Sequence, residues 1–207
     1  LFALSGGLVL FGFQNLVTLF IGIEILSIPL YVMAGSNKTD LRSTEASMKY
    51  FLMGAFATGF LMFGVALVYG SVGSFDMYVI HDFAISNPKN LMLIMDSILM
   101  LSALAFKVSL APFHMWSPDV YQGSPSLITG FMASVVKISG FFALFKLMTL
   151  GFGGIAGEWI NILGVFVIIT LLLANVMALV QTNAKRMLAY SSVSHAGYIS
   201  LIFFGLN

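Results

Sequence analysis

Long apolar runs separated by short polar segments are the main pattern of the chain. A run of about twenty apolar residues can cross the ~30 Å hydrocarbon core of a bilayer as an α-helix. Residues 1–13 are typical of the end of such a span, and six more spans are predicted at residues 16–34, 46–69, 91–112, 125–150, 159–180 and 184–206. We therefore expect an all-α polytopic membrane protein with about six full transmembrane helices and part of another.

Small polar residues stand where several of these helices are expected to begin. Asn15 precedes one span, Ser124-Pro125 another, and Thr182 with Asn183 the last. Such side chains accept hydrogen bonds from the first N–H groups of a helix, and proline fits the first turn because its missing N–H has no partner there.

Two polar stretches, residues 35–45 and 70–90, are predicted to be loops. The second stretch ends in Asn87-Pro88, which we interpret as the start of the next helix, with Asn as the cap and Pro in the first turn.

The span at residues 91–112 is expected to be broken. Pro112 lacks a backbone donor and clashes with the preceding turn, so the helix should kink or end there, and Pro118 should end what remains. Broken helices expose backbone polar groups only where protein or water surrounds them, so the break predicts a hydrated pocket near Lys107.

The composition supports a membrane protein and narrows its chemistry. Hydrophobic residues make up 59% of the 207 residues and charged residues 8%, which is too apolar for a soluble domain. The net charge of +1 gives no basic surface for nucleic acid. Cysteine is absent and the three histidines are widely spaced, so we expect no metal and no cofactor. The expected partners are membrane proteins, lipids and small ions such as protons.

The ends of the chain indicate a piece of a longer protein. The first residue is Leu1, and Asn207 directly follows an apolar run. The opening segment also lacks the basic residues and small-residue cleavage site of a signal peptide.

The basic residues predict an orientation. One set of loop-proximal cations comprises Lys38, Arg42, Lys49, Lys185 and Arg186, and the opposite set comprises Lys89 and Lys146. Because cytoplasmic loops carry the excess of Lys and Arg, we place residues 35–45, 113–124 and 181–186 on the cytoplasmic side.

Glu24, Lys107 and Lys137 are the charges that lie deepest in apolar spans. A charge at the centre of a membrane helix costs about 2.5–3.5 kcal/mol on insertion scales, so such residues usually have a function or a partner. A Glu–Lys pair at 4 Å is worth about 4 kcal/mol at an effective dielectric constant of 20, so making or breaking it could switch Lys107 between holding and releasing a proton. The alternative is a static ion pair that only docks helices.

Four other polar residues are weaker candidates. We interpret Asp96 as an interfacial residue near the outer end of its span, and Lys146 as a side chain that reaches the interface. His114 follows the helix break and could relay protons or hold the loop through hydrogen bonds. His195 lies among serines in the last span, where a relay is favoured over a structural role.

Several motifs resemble those of the antiporter-like membrane subunits of respiratory complex I, the bacterial NADH:quinone oxidoreductase, which are related to Mrp-type sodium/proton antiporters. The resemblance covers nearly the whole chain in the right order, and it rests on residues 19–30 (LFIGIEILSIPL), 45–51 (EASMKYF), 106–109 (FKVS), 112–123 (PFHMWSPDVYQG) and 181–198 (QTNAKRMLAYSSVSHAGY).

The resemblance implies a fold of fourteen transmembrane helices built from two inverted five-helix repeats, each with a broken helix. Residues 1–150 would then form the first repeat without its N-terminal part, and residues 151–207 would begin the second. The exit lysine of the second repeat would lie outside this sequence. The implied location is the bacterial inner membrane, with other membrane subunits of complex I as partners.

The resemblance also implies roles for four residues in proton translocation. Glu24 corresponds to the family's glutamate and Lys107 to the broken-helix lysine paired with it. Lys137 corresponds to the lysine that passes protons towards the centre of the subunit, and His195 to a histidine with a less certain relay role. Redox chemistry would take place in other subunits.

Two other functions are compatible with the same residues. An Mrp-type cation/proton antiporter could use the glutamate and lysines for exchange, with H⁺ or Na⁺ as the coupling ion. A structural membrane scaffold would hold the charges in static pairs, so that removing them would harm assembly and leave turnover unchanged.

Overall fold

The computed structural model describes residues 1–205, and every regular element in that range is helical. The α-helices are α1 (Phe2–Gly12), α2 (Leu16–Ala34), α3 (Leu41–Val72), α4 (Met77–Ser86), α5 (Leu91–Val108), α6 (Trp116–Gly123), α7 (Ser126–Phe131), α8 (Lys137–Lys146), α9 (Ala156–Leu179) and α10 (Ala184–Ser200). The all-α prediction is confirmed. The predicted end of the last span at residue 206 lies outside the described residues.

Within residues 1–205, six helical segments are long and apolar enough to cross a membrane. They are α2, α3, α5, the continuous segment Ser126–Gly151, the segment Gly153–Leu179 and the segment Ala184–Gly205. The number of full spans expected from the apolar pattern is therefore confirmed, and α1 is the shorter apolar helix expected before them.

Helix caps explain which predicted boundaries hold. The Asn15 side chain accepts from Val17 N–H at 2.8 Å and the Asn183 side chain from Arg186 N–H at 3.2 Å, as expected. The prediction of a loop through residue 45 was wrong, because Asp40 accepts from Arg42 N–H and starts α3 at Leu41.

The predicted loop at residues 70–90 contains a helix. Asp76 accepts hydrogen bonds from two N–H groups and starts α4, which runs to Ser86. The interpretation of Asn87 as an N-cap was wrong, since Asn87 ends α4 and the Asn90 side chain caps α5.

The break in the fourth span is confirmed, but its position differs. Helix α5 ends at Val108, and Ser109 adopts the left-handed conformation with φ of 64°, three residues before Pro112. Pro118 does not end a helix. It lies in the first turn of α6, where a proline is tolerated because no intrahelical N–H is needed.

The helices pack so that the break is enclosed. Helix α5 runs along α3 and also contacts α8 and α9, while α6 lies between α3 and α10. A π-helical turn at Met132–Val136 joins α7 to α8 immediately before Lys137. Such turns insert an extra residue into a helix and are frequent at functional sites.

Candidate functional site

Lys107 lies in the last turn of α5 and is only 5% exposed. Its Nζ donates a hydrogen bond to Ser27 Oγ on α2 at 2.5 Å, and Ser27 in turn donates to the Ile23 carbonyl. The same Nζ lies 5.8 Å from the centre of the Tyr50 ring, a distance at which an ammonium is attracted to an aromatic face. The buried cation is therefore held by α2 and α3 together.

Glu24 does not form the direct ion pair with Lys107 that the sequence suggested. Among residues 1–205 no Glu24 oxygen lies within 4.0 Å of Lys107 Nζ, so the pair that could be made or broken is open in this structure. Thr58 instead donates to Glu24 Oε1 at 2.8 Å, while Lys107 Nζ donates to Ser27 Oγ. Because Glu24 and Ser27 are three residues apart on α2, the carboxylate lies within about one helical turn of the lysine's partner.

A small cavity adjoins Lys107. It has a volume of about 20 Å³, and its lining includes Ser27, Tyr31, Thr58 and Lys107 among apolar residues. One water molecule needs about 10–15 Å³ of such space and two to four polar partners. The cavity therefore has the size and lining to hold one water beside the lysine.

The broken backbone is satisfied by two side chains from other parts of the fold. Trp116 Nε1 donates to the Phe106 carbonyl at 2.9 Å, and the Ala111 N–H donates to Thr170 Oγ1 on α9 at 2.8 Å. The Trp116 indole also stacks on Tyr50, with ring centres 4.7 Å apart and planes within 10°. These contacts fix the position of the chain on both sides of Lys107.

We expect Thr170→Val to destabilise the full-length protein by about 1–3 kcal/mol, because the variant leaves the buried Ala111 N–H without its acceptor. Denaturant unfolding of the detergent-solubilised protein measures the change. Thr149→Val is the matched control, since the Thr149 hydroxyl bonds only within its own helical segment, to the Phe145 carbonyl. Equal effects of the two variants would contradict the tether between α9 and the break.

Lys137 begins α8, directly after the π-helical turn, and is 6% exposed. Its Nζ donates to the Ser192 carbonyl on α10. Gly140, one turn further along α8, packs against α5: a Cβ atom there would lie 3.0 Å from Val108 and 3.5 Å from Lys107 Cγ. The glycine thus lets the stem of Lys107 approach α8 within one turn of Lys137.

His195 lies on α10, three residues after Ser192, and its side chain is exposed. His195 and Lys137 line the same groove of about 500 Å³, whose other lining residues are mostly phenylalanine and isoleucine. The structure therefore brings Lys137 and His195 to one groove, and brings Glu24 and Lys107 together around Ser27.

Two weaker candidates have defined surroundings. Asp96, expected near the outer end of its span, lies in the second turn of α5, and its side chain is fully buried against α3. Its interfacial depth remains a prediction. His114 is 6% exposed and lies in the segment between α5 and α6. Burial lowers the pKa of His114, and a backbone hydrogen bond at Pro112 only partly opposes this.

An ion-pair cluster joins α3, α6 and α10 at one end of the bundle. Asp119 Oδ2 accepts from Lys49 Nζ at 2.9 Å, and Asp119 Oδ1 accepts from Arg186 at 2.5 Å. Partial burial raises the pKa of Asp119, but the hydrogen bonds from Lys49 and Arg186 outweigh it and hold the pKa below its usual range. Lys185 also donates to the Ser124 carbonyl at 3.1 Å. The predicted grouping of these segments at one end is confirmed, and their cytoplasmic location remains a prediction.

Sequence reasoning missed the residues that support the lysine. Ser27 lies one turn after Glu24 on the same helix, a spacing that could have identified it. Thr170 is the single polar side chain in the run at residues 162–173, which is the signal of a buried hydrogen bond. Tyr50 and Trp116 carry no comparable local signal, because their contacts are between distant segments.

Known proteins similar to this chain are membrane subunits. Residues 14–206 match the family described as "NADH:quinone oxidoreductase/Mrp antiporter, TM". The chain is 47% identical over 204 residues to NADH-quinone oxidoreductase subunit N of Cytophaga hutchinsonii, covering 98% of the chain and 44% of the relative. It thus spans less than half the length of this relative.

Two solved structures have the same arrangement of helices. Respiratory complex I from Thermus thermophilus with bound Aureothin contains a chain with a TM-score of 0.85 and 37% identity, which covers 100% of this chain and 44% of that one. The membrane-bound sulfane sulfur reductase, an archaeal respiratory membrane complex, matches with a TM-score of 0.86 and 31% identity, over 98% of this chain and 41% of that one.

Proposed function

The chain belongs to the NADH:quinone oxidoreductase/Mrp antiporter family of transmembrane proteins, and we propose that it is a proton-translocating part of a bacterial complex I membrane arm. It is a multi-pass, antiporter-like membrane subunit by family and by its six apolar helices. Its relatives are bacterial subunits, which supports a location in the inner membrane beside other membrane subunits of the complex.

The proposed relay uses Glu24, Lys107, Lys137 and His195. Redox energy released in other subunits changes the electrostatics around Glu24 and Lys107, so that Lys107 gains or loses a proton. Lys137 then carries the proton laterally, in the direction of His195. The observation that carries this proposal is the position of Lys107. Its Nζ bonds to Ser27, one turn from Glu24 on α2, and its side-chain stem packs beside Gly140, one turn from Lys137 on α8.

The open Glu24–Lys107 pair fits a switch. When the pair is open, Lys107 bonds to Ser27 and Glu24 bonds to Thr58, so both side chains keep a hydrogen bond. A change of side-chain rotamer would exchange these neutral partners for the direct ion pair. The approximately 4 kcal/mol attraction at 4 Å is large enough to change the protonation of a buried lysine.

We further propose that the chain combines two structural repeats. Residues 1–150 form most of a first inverted five-helix repeat, with α5 and α6 as its broken helix, and residues 151–207 begin the second. The ion pair of Asp119 with Arg186 then connects the first repeat to the second.

Deletion of the gene, with the full-length copy restored on a plasmid as control, tests the proposed function. We expect loss of NADH-driven proton uptake into inverted membranes and no increase in the sodium sensitivity of growth. Sodium-sensitive growth with normal NADH-driven uptake would contradict the proposal and indicate Mrp-type cation exchange.

A further inference from the structure

Asp96 is a buried carboxyl group outside the proposed relay. It lies eleven residues before Lys107 on α5, which separates the two by about 16 Å along the helix axis. None of the cavities described above includes it. Its fully buried side chain faces α3, where Ser71 Oγ lies 3.2 Å from Asp96 Oδ2.

The hydrogen bonds around Ser71 indicate where the hydrogen of this pair lies. A serine hydroxyl has one hydrogen to donate. Ser71 Oγ lies near two acceptors, Asp96 Oδ2 and the Val68 carbonyl, the latter at 3.1 Å. If Asp96 is ionised, the hydroxyl can satisfy only one of them. If Asp96 is protonated, it donates to Ser71 Oγ, and Ser71 donates to the Val68 carbonyl, so both contacts are hydrogen bonds.

The charge balance favours the same arrangement. Within residues 1–205 no Lys, Arg or His forms an ion pair with Asp96, and Asp96 Oδ1 has no hydrogen-bond partner. The side chains that flank it on α5, Leu93 and Met100, are buried and apolar. An ionised carboxylate in such a place would have one neutral hydrogen bond against a large desolvation cost, whereas a neutral acid avoids that cost.

We propose that Asp96 is a neutral carboxylic acid at neutral pH, a proton-binding site that donates a hydrogen bond to Ser71 and fastens α5 to α3. The site is distinct from Glu24, Lys107, Lys137 and His195, and it does not depend on the proposed transport function. It holds α5 at the end opposite to the break.

Infrared spectroscopy of the full-length subunit in lipid nanodiscs at neutral pH tests the proposal. The wild-type spectrum is expected to contain a carbonyl stretching band of a protonated carboxyl group, and Asp96→Asn should remove that band. Asn keeps a donor and an acceptor at the same position, so the variant retains a bond to Ser71. Asp82→Asn is the matched control, because Asp82 is exposed on α4 and its removal should delete only carboxylate bands.

A wild-type spectrum from which Asp96→Asn removes only carboxylate bands would overturn the proposal. Ser71→Ala provides an independent test if the Asn variant fails to accumulate, since it keeps the acid and removes its acceptor. It should shift the carbonyl band to higher frequency, and an unmoved or missing band would also overturn the assignment.

Discussion

Lys107→Ala in the full-length protein is expected to abolish proton translocation by the assembled complex. General acid–base groups typically contribute about 10²–10⁴-fold to proton-transfer rates, and Lys107 is the buried amine that bonds to Ser27 and packs beside Gly140. We therefore expect proton uptake to fall by at least about 100-fold at equal amounts of complex. The proton yield per NADH oxidised is the quantity to measure.

Lys107→Met separates proton chemistry from packing. Met keeps an apolar stem to pack against Gly140, but it cannot take up a proton. It should lose proton translocation as completely as the Ala variant while it assembles at the wild-type level. A normal proton yield in either variant would mean that Lys107 is a static structural cation.

Lys137→Ala is expected to lower proton uptake and quinone-linked NADH oxidation together. The lysine is the second buried cation of the bundle, and its hydrogen bond to the Ser192 carbonyl places it beside the groove that contains His195. In a coupled enzyme, a blocked proton path also slows the redox reaction that drives it. The rate of quinone-linked NADH oxidation per assembled complex checks this expectation.

A scaffold function makes the opposite prediction for this variant. If Lys137 only docks α8 onto α10, its removal should reduce the amount of assembled complex and leave NADH oxidation per complex unchanged. Quantifying the complex in the same membranes therefore distinguishes the two functions.

Much of the fold could be predicted from the apolar pattern and the helix caps. The span Leu16–Ala34 was predicted with its observed bounds, because Asn15 caps it and an unbroken apolar run follows. The prediction for Asn87 was wrong because Asn suits either end of a helix. The sequence did not reveal α4, whose C-cap is Asn87. The break falls at Ser109 instead of Pro112 because the tertiary bonds of Trp116 and Thr170 pin the chain around it.

The site was only partly accessible from sequence. Charges in apolar spans identified Glu24, Lys107 and Lys137 because an intramembrane charge is costly wherever it lies. The partner of Lys107 could not be predicted, since Ser27 and Glu24 lie one turn apart on α2, and the structure pairs Lys107 with Ser27 and Glu24 with Thr58. The burial of Asp96 could not be predicted, because distance along a helix gives depth in its span and says nothing about which neighbouring helix covers the side chain.

Proton uptake into inverted membranes that carry Lys137→Ala in the full-length protein tests the central claim most directly, with Lys89→Ala as the control. Lys89 is an exposed lysine in the turn between α4 and α5, so its removal should leave uptake unchanged. We expect Lys137→Ala membranes with a normal amount of complex to lose NADH-driven proton uptake. Normal uptake per complex in Lys137→Ala would contradict the relay and leave the buried lysine with a structural function.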